Sequence, residues 1–284
     1  MKSEKTIKPT PGWVGVIVVL LSLGLAIGGL VMGIVLAFVV FIILAIFFTI
    51  GFVVNAPNES WVLIFFGRYV GTIKENGFYW VNPLNVKKKI SLRAKNFDSE
   101  PIKVNDKVGN PIMIGLVLVW KVEDTYRAAF DVDDYQHFVV VQSDAALRKL
   151  AGLYPYDNFE IENAEITLRA GGEDVNEQLE SELRERLNIA GINVIEARIN
   201  YIAYASEIAG AMLRRQQATA IVAAREKIVE GAVGMVQLAL NQLSEKKILE
   251  LDDDKKATMV SNLMVVLCSD ESARPVVNTG TLYS

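Results

Sequence analysis

The fold is decided near the start of the chain by Trp13–Val54, WVGVIVVLLSLGLAIGGLVMGIVLAFVVFIILAIFFTIGFVV, which contains no charged residue. As one α-helix this segment would measure about 63 Å, roughly twice the hydrocarbon thickness of a bilayer. Glycine permits a tight reversal, and three glycines lie near the midpoint of the segment: Gly28, Gly29 and Gly33. We therefore predict a transmembrane hairpin of two helices, residues 14–30 and 34–54, within a membrane segment spanning residues 13–54.

The residues before this segment predict its orientation. Lys2, Lys5 and Lys8 are accompanied by a single acidic residue, Glu4. The positive-inside rule then places residues 1–12 in the cytoplasm. A hairpin returns the rest of the chain to the same side, so the soluble part is also predicted to be cytoplasmic.

Aromatic residues flank the apolar segment and suit a membrane–water interface. Trp13 lies at its beginning, and Trp61 and Phe65 follow its end. The alternative for the last two is a place in the strand core of the next domain. A cleaved signal peptide does not fit, because its apolar region is only about 7–15 residues long and ends at a small-residue cleavage site.

Composition excludes several classes of function. The 284 residues carry a net charge of −4, which is not the basic footprint of a nucleic-acid-binding protein. His137 and Cys268 are the only histidine and the only cysteine, so one chain forms neither a disulfide nor a Cys/His zinc cluster. The sequence also lacks a phosphate-binding loop and a nucleophile elbow. We expect no catalytic residue, no metal and no cofactor.

Residues 55–205 have the pattern of an α+β domain. Short apolar runs bounded by Gly, Asn and Pro predict strands first, and Pro111–Val122 carries apolar side chains on both faces, as a central strand does. Two periodic helices follow, one ending near Gly152 and one closed by Gly191, with Asp174 as the expected N-cap of the second. A final strand around residues 195–201 completes an antiparallel sheet with covering helices.

Three consecutive lysines, Lys87, Lys88 and Lys89, interrupt the strand pattern. One interpretation is a patch that binds lipid headgroups close to the membrane. The other is a solvated strand edge, and three lysines are fewer than lipid recognition usually uses.

Residues 206–250 predict one long helix resembling a coiled coil. Apolar residues recur at an interval of seven, with alanines between them. No following domain is large enough to cover this stripe, so we expect it to pack against further copies of the same chain. The residues predicted to make this contact are Val222, Val229, Ala232, Val236, Ala239 and Leu243.

Residues 251–284 predict a short helix and a terminal strand. Asp252, Asp253 and Asp254 suit helix capping, because the spacing of a calcium-binding EF-hand loop is absent. The last residues are apolar and favour β structure. A strand containing Val276 and Val277 would need neighbours from other subunits.

Several segments, taken in order, resemble the SPFH or band 7 proteins, the stomatin/prohibitin/flotillin superfamily. They include the family's GR…G…GxxFxxP opening, the segment before its central strand, its A..LR…G helix and the start of its alanine-rich helix. The corresponding segments are Phe66–Gly71, Glu75–Pro83, Asn105–Ile112, Ala145–Arg148 with Gly152, and Glu207–Met212. The resemblance covers residues 55–245. The apolar segment before it is twice the length of the single anchor of many relatives.

The resemblance implies a non-enzymatic scaffold that forms rings or cages around a patch of bilayer. We therefore expect a large homo-oligomer in contact with membrane lipids, at a bacterial inner membrane or other cell membrane. The alternative is an adaptor that controls a membrane-bound AAA+ protease or pairs with an NfeD-type membrane protein. A third hypothesis, a membrane-associated hydrolase, would use Asp131, Asp133 and Asp134, which more simply cap a helix.

Overall fold

The computed structural model describes residues 4–157, 166–246 and 252–269. They belong to two units, one ending at Ala205 and one beginning at Ser206. The α-helices in these ranges are α1 Gly12–Val31, α2 Val35–Thr49, α3 Thr125–Phe130, α4 Tyr135–Leu153, α5 Gly172–Leu187, α6 Ser206–Glu245 and α7 Asp253–Cys268. The strands are β1 Thr10–Pro11, β2 Phe52–Asn55, β3 Glu59–Phe65, β4 Arg68–Ile73, β5 Gly77–Trp80, β6 Asn85–Ser91, β7 Lys95–Asp98, β8 Ile102–Asn105, β9 Pro111–Val122 and β10 Ile192–Tyr204.

The first unit contains three sheets whose strand pairs are antiparallel. One has the order β1-β5-β2, a second has the order β4-β3-β6, and the third has the order β10-β9-β7 with β8 also paired to β9. The predicted α+β class with antiparallel sheets is therefore confirmed.

Strand β9 is central, as its two apolar faces predict. It pairs with β10 along nearly its whole length and with β7 and β8 on its other side. Helices α4 and α5 contact this sheet, and the predicted apolar face of α5 is buried. The buried side chains at the centre of the domain include Ile112, Ile114, Leu116, Leu118, Leu147, Leu179 and Leu183.

Aspartates begin two of the helices of this domain. Asp124 accepts hydrogen bonds from the backbone N–H groups of Tyr126 and Arg127, which starts the short helix α3 that the sequence did not predict. Asp134 caps α4, whereas Asp131 follows the last residue of α3. The predicted cap of α5 was wrong: the helix begins at Gly172 with Gly171 as its N-cap, and Asp174 lies in its first turn.

The second helix of the apolar segment is shorter than predicted. It ends at Thr49 rather than near residue 54, because Phe52–Asn55 is extended and pairs with β5. The backbone groups at the end of the apolar segment therefore take part in a sheet instead of a helix.

The second unit contains α6 and α7, which pack against each other. Asp252 accepts a hydrogen bond from the N–H of Lys255 at 2.8 Å, so the predicted capping of α7 is confirmed. The predicted terminal strand with Val276 and Val277 lies outside the described residues.

Candidate membrane-docking site

Helices α1 and α2 pack together as a pair. At 1.5 Å per residue they are about 30 and 22 Å long, and α1 is apolar and long enough to cross a membrane. Ser22, Ala26 and Gly29 are buried within α1. A Cβ on Gly29 would lie 3.0 Å from the Cβ of Ala37, so a small residue lets the backbones approach closely, as in transmembrane helix contacts.

The reversal between the helices satisfies the carbonyl groups at the end of α1. Gly33 has a φ of 72°, and its N–H donates to the carbonyl of Leu30 at 3.1 Å. The N–H of Ile34 donates to the carbonyl of Gly29 at 2.8 Å, which completes a Schellman motif. These backbone bonds suit an environment without water, because the turn has no polar side chain that could take their place.

The structure divides the roles of the three midpoint glycines. Gly33 makes the turn, but Gly28 and Gly29 are both inside α1, where their left-handed freedom is not used. Gly29 lies in the contact with α2, whereas a Cβ on Gly28 would meet nothing within 4 Å. The reversal therefore lies where the predicted helix bounds of 14–30 and 34–54 place it, but only one of the three glycines serves in it.

Both ends of the helix pair are joined to one strand. Thr10, just before α1, pairs with Trp80 of β5, and Phe52, just after α2, pairs with the same residue from the other side. The chain therefore leaves and returns at opposite edges of β5. This arrangement places the beginning of α1 and the end of α2 at the same sheet.

Glycines allow the helix ends to approach aromatic rings. A Cβ on Gly12 would lie 2.2 Å from the ring of Phe78, and one on Gly15 would lie 2.4 Å from Trp80. A Cβ on Gly51 would lie 2.5 Å from the indole Nε1 of Trp80. Any side chain at these three positions would force the rings to move.

Side chains of the sheets donate hydrogen bonds to carbonyl groups at the end of α2. The indole Nε1 of Trp80 donates to the carbonyl of Phe48 at 3.0 Å. The ammonium of Lys87 donates to the carbonyls of Ile50 and Phe52, where a cation also interacts favourably with the helix dipole. Burial lowers the pKa of Lys87.

The three consecutive lysines therefore have different partners. Lys87 is bonded to the end of α2, and Lys89 forms an ion pair of 2.7 Å with Glu59. The ammonium of Lys88 lies 3.5 Å from the carbonyl of Ala129. Strand β6 is an edge strand on which Lys88 and Lys89 are exposed, which matches the solvated-edge interpretation, and Lys87 alone is bonded to the end of α2.

Four apolar side chains are exposed at the same end of the domain. Strand pairing of Phe65 with Asn85 brings the β3–β4 turn beside the loop that joins β5 to β6. Phe66 is 81% exposed and has a φ of 44°, an unusual conformation for a phenylalanine. We call these residues the apolar rim: Phe66, Val70, Leu84 and Val86.

The aromatic residues predicted at the interface occupy different environments. Trp13 is 62% exposed in the first turn of α1. Phe65 is half-buried and contacts Phe66 edge to face at 4.8 Å, next to the apolar rim. Trp61 packs against a buried cluster and donates to the carbonyl of Val54 at 3.3 Å, which matches the strand-core alternative.

The segment before α1 is bound to the domain. Glu4 accepts hydrogen bonds from Thr125 at 2.5 Å and from Lys74 at 2.7 Å. The hydroxyls of Thr72 and Thr125 are 3.0 Å apart, and Ile7 donates its N–H to the carbonyl of Thr72. The sequence carried no local signal for this network, because its members are distant in the chain.

His137 is exposed in the first turn of α4. In the described ranges, no group of three or more His, Cys, Asp or Glu side chains is arranged to hold a metal ion.

The stripe predicted for oligomer contacts is divided along α6. Val222 and Val229 are exposed, at 57% and 46%. Ala232 and Val236 are buried in the part of the chain that the structure describes. Ala239 and Leu243 are half-buried. Only the earlier part of the stripe is therefore open for another chain.

The fold and site define an α+β protein with an apolar helix pair joined to one of its sheets. A sequence profile described as SPFH domain / Band 7 family matches residues 53–232. The chain therefore belongs to the SPFH/Band 7 family, a family of membrane-associated proteins, and the resemblance inferred from the motifs is confirmed.

Two archaeal proteins are similar to this chain. An uncharacterized protein of Methanothermobacter thermautotrophicus is 26% identical over 163 residues, which cover 57% of this chain and 48% of that protein. An uncharacterized protein of Methanocaldococcus jannaschii is 23% identical over 160 residues, covering 56% of this chain and 76% of that protein. The match thus spans about half the length of the first relative and assigns no activity.

Proposed function

We propose that this protein is a non-enzymatic, homo-oligomeric scaffold that organises a patch of the cell membrane. Members of the SPFH family are generally non-enzymatic scaffolds. The observation that carries the proposal is the position of Val70 and Leu84 of the apolar rim, which line one pocket together with Phe47 and Phe48 in the last turn of α2. Domain and helix pair therefore present apolar surface at the same level, as a protein lying on a bilayer requires.

The helix pair supports a hairpin that enters and leaves the membrane on one side. Its two ends are joined to opposite edges of β5. Helix α1 is about as long as the hydrocarbon core is thick, and α2 is shorter by roughly 8 Å. The hairpin would reach the far side of the bilayer only at its turn, with the soluble part on the cytoplasmic side.

Exposed residues on α6 support self-association. Val222 and Val229 are seven residues apart, the interval at which a helix presents the same face to a coiled-coil partner. Because α7 packs elsewhere along α6, where Ala232 and Val236 are buried, this earlier face remains open among the described residues. A second copy of α6 has the matching surface.

A charge substitution on this face tests the oligomer. We expect Val222→Asp with Val229→Asp to dissociate the assembly, because two carboxylates would be buried without partners. Ala220→Asp with Ala224→Asp is the matched control, since it adds the same charge on the opposite side of the same exposed helix. Size-exclusion chromatography with light scattering in mild detergent gives the mass.

Two results would contradict this proposal. One is a wild-type protein that is monomeric over a range of detergents and concentrations. The other is equal dissociation by both double variants, which would assign the effect to helix charge rather than to the face with Val222 and Val229.

A further inference from the structure

A pocket of about 500 Å³ lies at the base of the helix pair, a size within the usual range for small-molecule sites. Phe47 and Phe48 of α2 line one side, and Leu63 and Val70 of the second sheet line another. Trp80, the loop of residues 81–85 and the segment before α1 complete it.

The surface of the pocket is largely hydrocarbon. The indole N–H of Trp80 is already bonded to the carbonyl of Phe48, and the side-chain oxygen of Asn82 accepts the N–H of Leu84 at 3.0 Å. These polar groups therefore have partners without a ligand. An apolar molecule that covered this surface would be favourable, because it would remove apolar area from water.

The position of the pocket indicates where such a molecule would come from. It lies between Thr10, where the chain passes into α1, and Phe48, where α2 ends. Val70 and Leu84 belong both to the pocket wall and to the apolar rim. The pocket is therefore continuous with the surface that, in the proposed function, faces the bilayer.

We propose that this pocket holds one hydrocarbon chain of a bilayer lipid. The inference rests on the proposed membrane location, because only a docked domain places the pocket at the level of the lipid chains. The lipid headgroup would remain outside, beyond the apolar rim. Each subunit would then hold a lipid at its own base, in addition to the lipids that contact α1 and α2.

Photo-crosslinking in vesicles tests the pocket. The full chain is reconstituted in phosphatidylcholine vesicles that contain a phosphatidylcholine with a diazirine on one acyl chain. After illumination, labelled peptides are mapped by mass spectrometry. We expect labels on α1 and α2 and also on the pocket peptides that contain Leu63, Val70 and residues 80–85.

Filling the pocket should remove only the second set of labels. We expect Val70→Trp, and independently Leu84→Trp from the opposite wall, to reduce labelling of residues 80–85 at least fivefold, with helix labelling unchanged. Val54→Trp is the control, because Val54 is an exposed strand valine outside the pocket. Circular dichroism establishes that each variant folds.

The outcomes separate this inference from the function on which it rests. Absence of label on α1 and α2 overturns the membrane location itself. Labelled helices with an unlabelled pocket, or pocket labelling that both tryptophan variants leave unchanged, overturns the lipid pocket alone.

Discussion

One methyl group added at Gly15 should disturb the packing of the helix pair against β5. We call these contacts of α1 and α2 with β5 the joint. In Gly15→Ala the new Cβ would lie 2.4 Å from Cδ1 of Trp80, 2.5 Å from its Cγ and 2.8 Å from Cε1 of Phe52. Two rigid rings therefore have to move. Gly24→Ala, in the same helix, is the control because its Cβ would meet nothing within 4 Å.

The expected cost follows from three contributions. Overpacking costs about 1–3 kcal/mol, and displacement of the Trp80 indole removes a hydrogen bond to Phe48 worth about 1 kcal/mol. Because alanine has the higher helix propensity, the substitution also stabilises the helix by up to about 1 kcal/mol. This stabilisation is the only contribution at Gly24. The two variants should therefore differ by about 2–4 kcal/mol in the stability of the joint.

Hydrogen–deuterium exchange with mass spectrometry measures this difference in the detergent-solubilised full chain. If exchange occurs by local opening, peptides that cover β5 should exchange roughly 30- to 700-fold faster in Gly15→Ala than in Gly24→Ala. Peptides from β9 serve as an internal reference in each protein. Rates of β5 exchange within about twofold of each other would refute the reasoning that Trp80 holds the helix pair in place.

Three further substitutions test other contacts. Lys149 and a neighbouring arginine hold the pKa of Glu182 below its ordinary value, so Glu182→Gln should lower the free energy of urea unfolding by about 1 kcal/mol at pH 7. That contribution is present above about pH 4.5 and is lost as the pH falls through the lower folded pKa; a pH-independent difference between the two proteins would contradict it. Lys87→Met should speed proteolysis near the end of α2 several-fold because the ammonium bonds there are lost, and Lys87→Arg should restore resistance; equal cleavage of both variants would argue against this role. Gly29→Leu should separate α1 from α2 by a few ångströms, measured between spin labels. Gly28→Leu should leave this distance unchanged, because a side chain at Gly28 meets open space. An equal effect of both substitutions would argue against the close contact of Gly29 with Ala37.

Local periodicity was sufficient to predict the centre of the domain. Strand β9 has apolar residues on a buried face and on an opposite face that is half-buried, and α5 repeats leucine on its buried face. Asp252 caps α7 through a bond to a residue only three positions away. Such features depend on neighbouring residues, which is why the sequence alone indicates them.

Features that depend on distant residues were missed or misplaced. Helix α2 stops at Thr49 because Phe52–Asn55 finds a strand partner 25 residues later in the chain. The binding of Glu4 to Thr125 and Lys74 joins positions far apart in sequence. The pattern of apolar residues is the same whether such partners exist or not, so it could not predict them.

Two aromatic residues predicted at the membrane interface lie in different surroundings, for the same reason. Phe65 lies next to the apolar rim, but Leu84 and Val86 join it only because β3 pairs with β6. Trp61, four residues earlier on β3, turns into a buried cluster instead. Aromatic composition alone does not distinguish these two environments.

Electron microscopy of the complex, extracted from membranes with its surrounding lipid retained, tests the central claim most directly. We predict closed rings of many copies, with α1 and α2 inside the lipid density and the apolar rim at its surface. Single copies, or rings in which the helix pair lies outside the lipid, would contradict the account of this protein as a membrane scaffold.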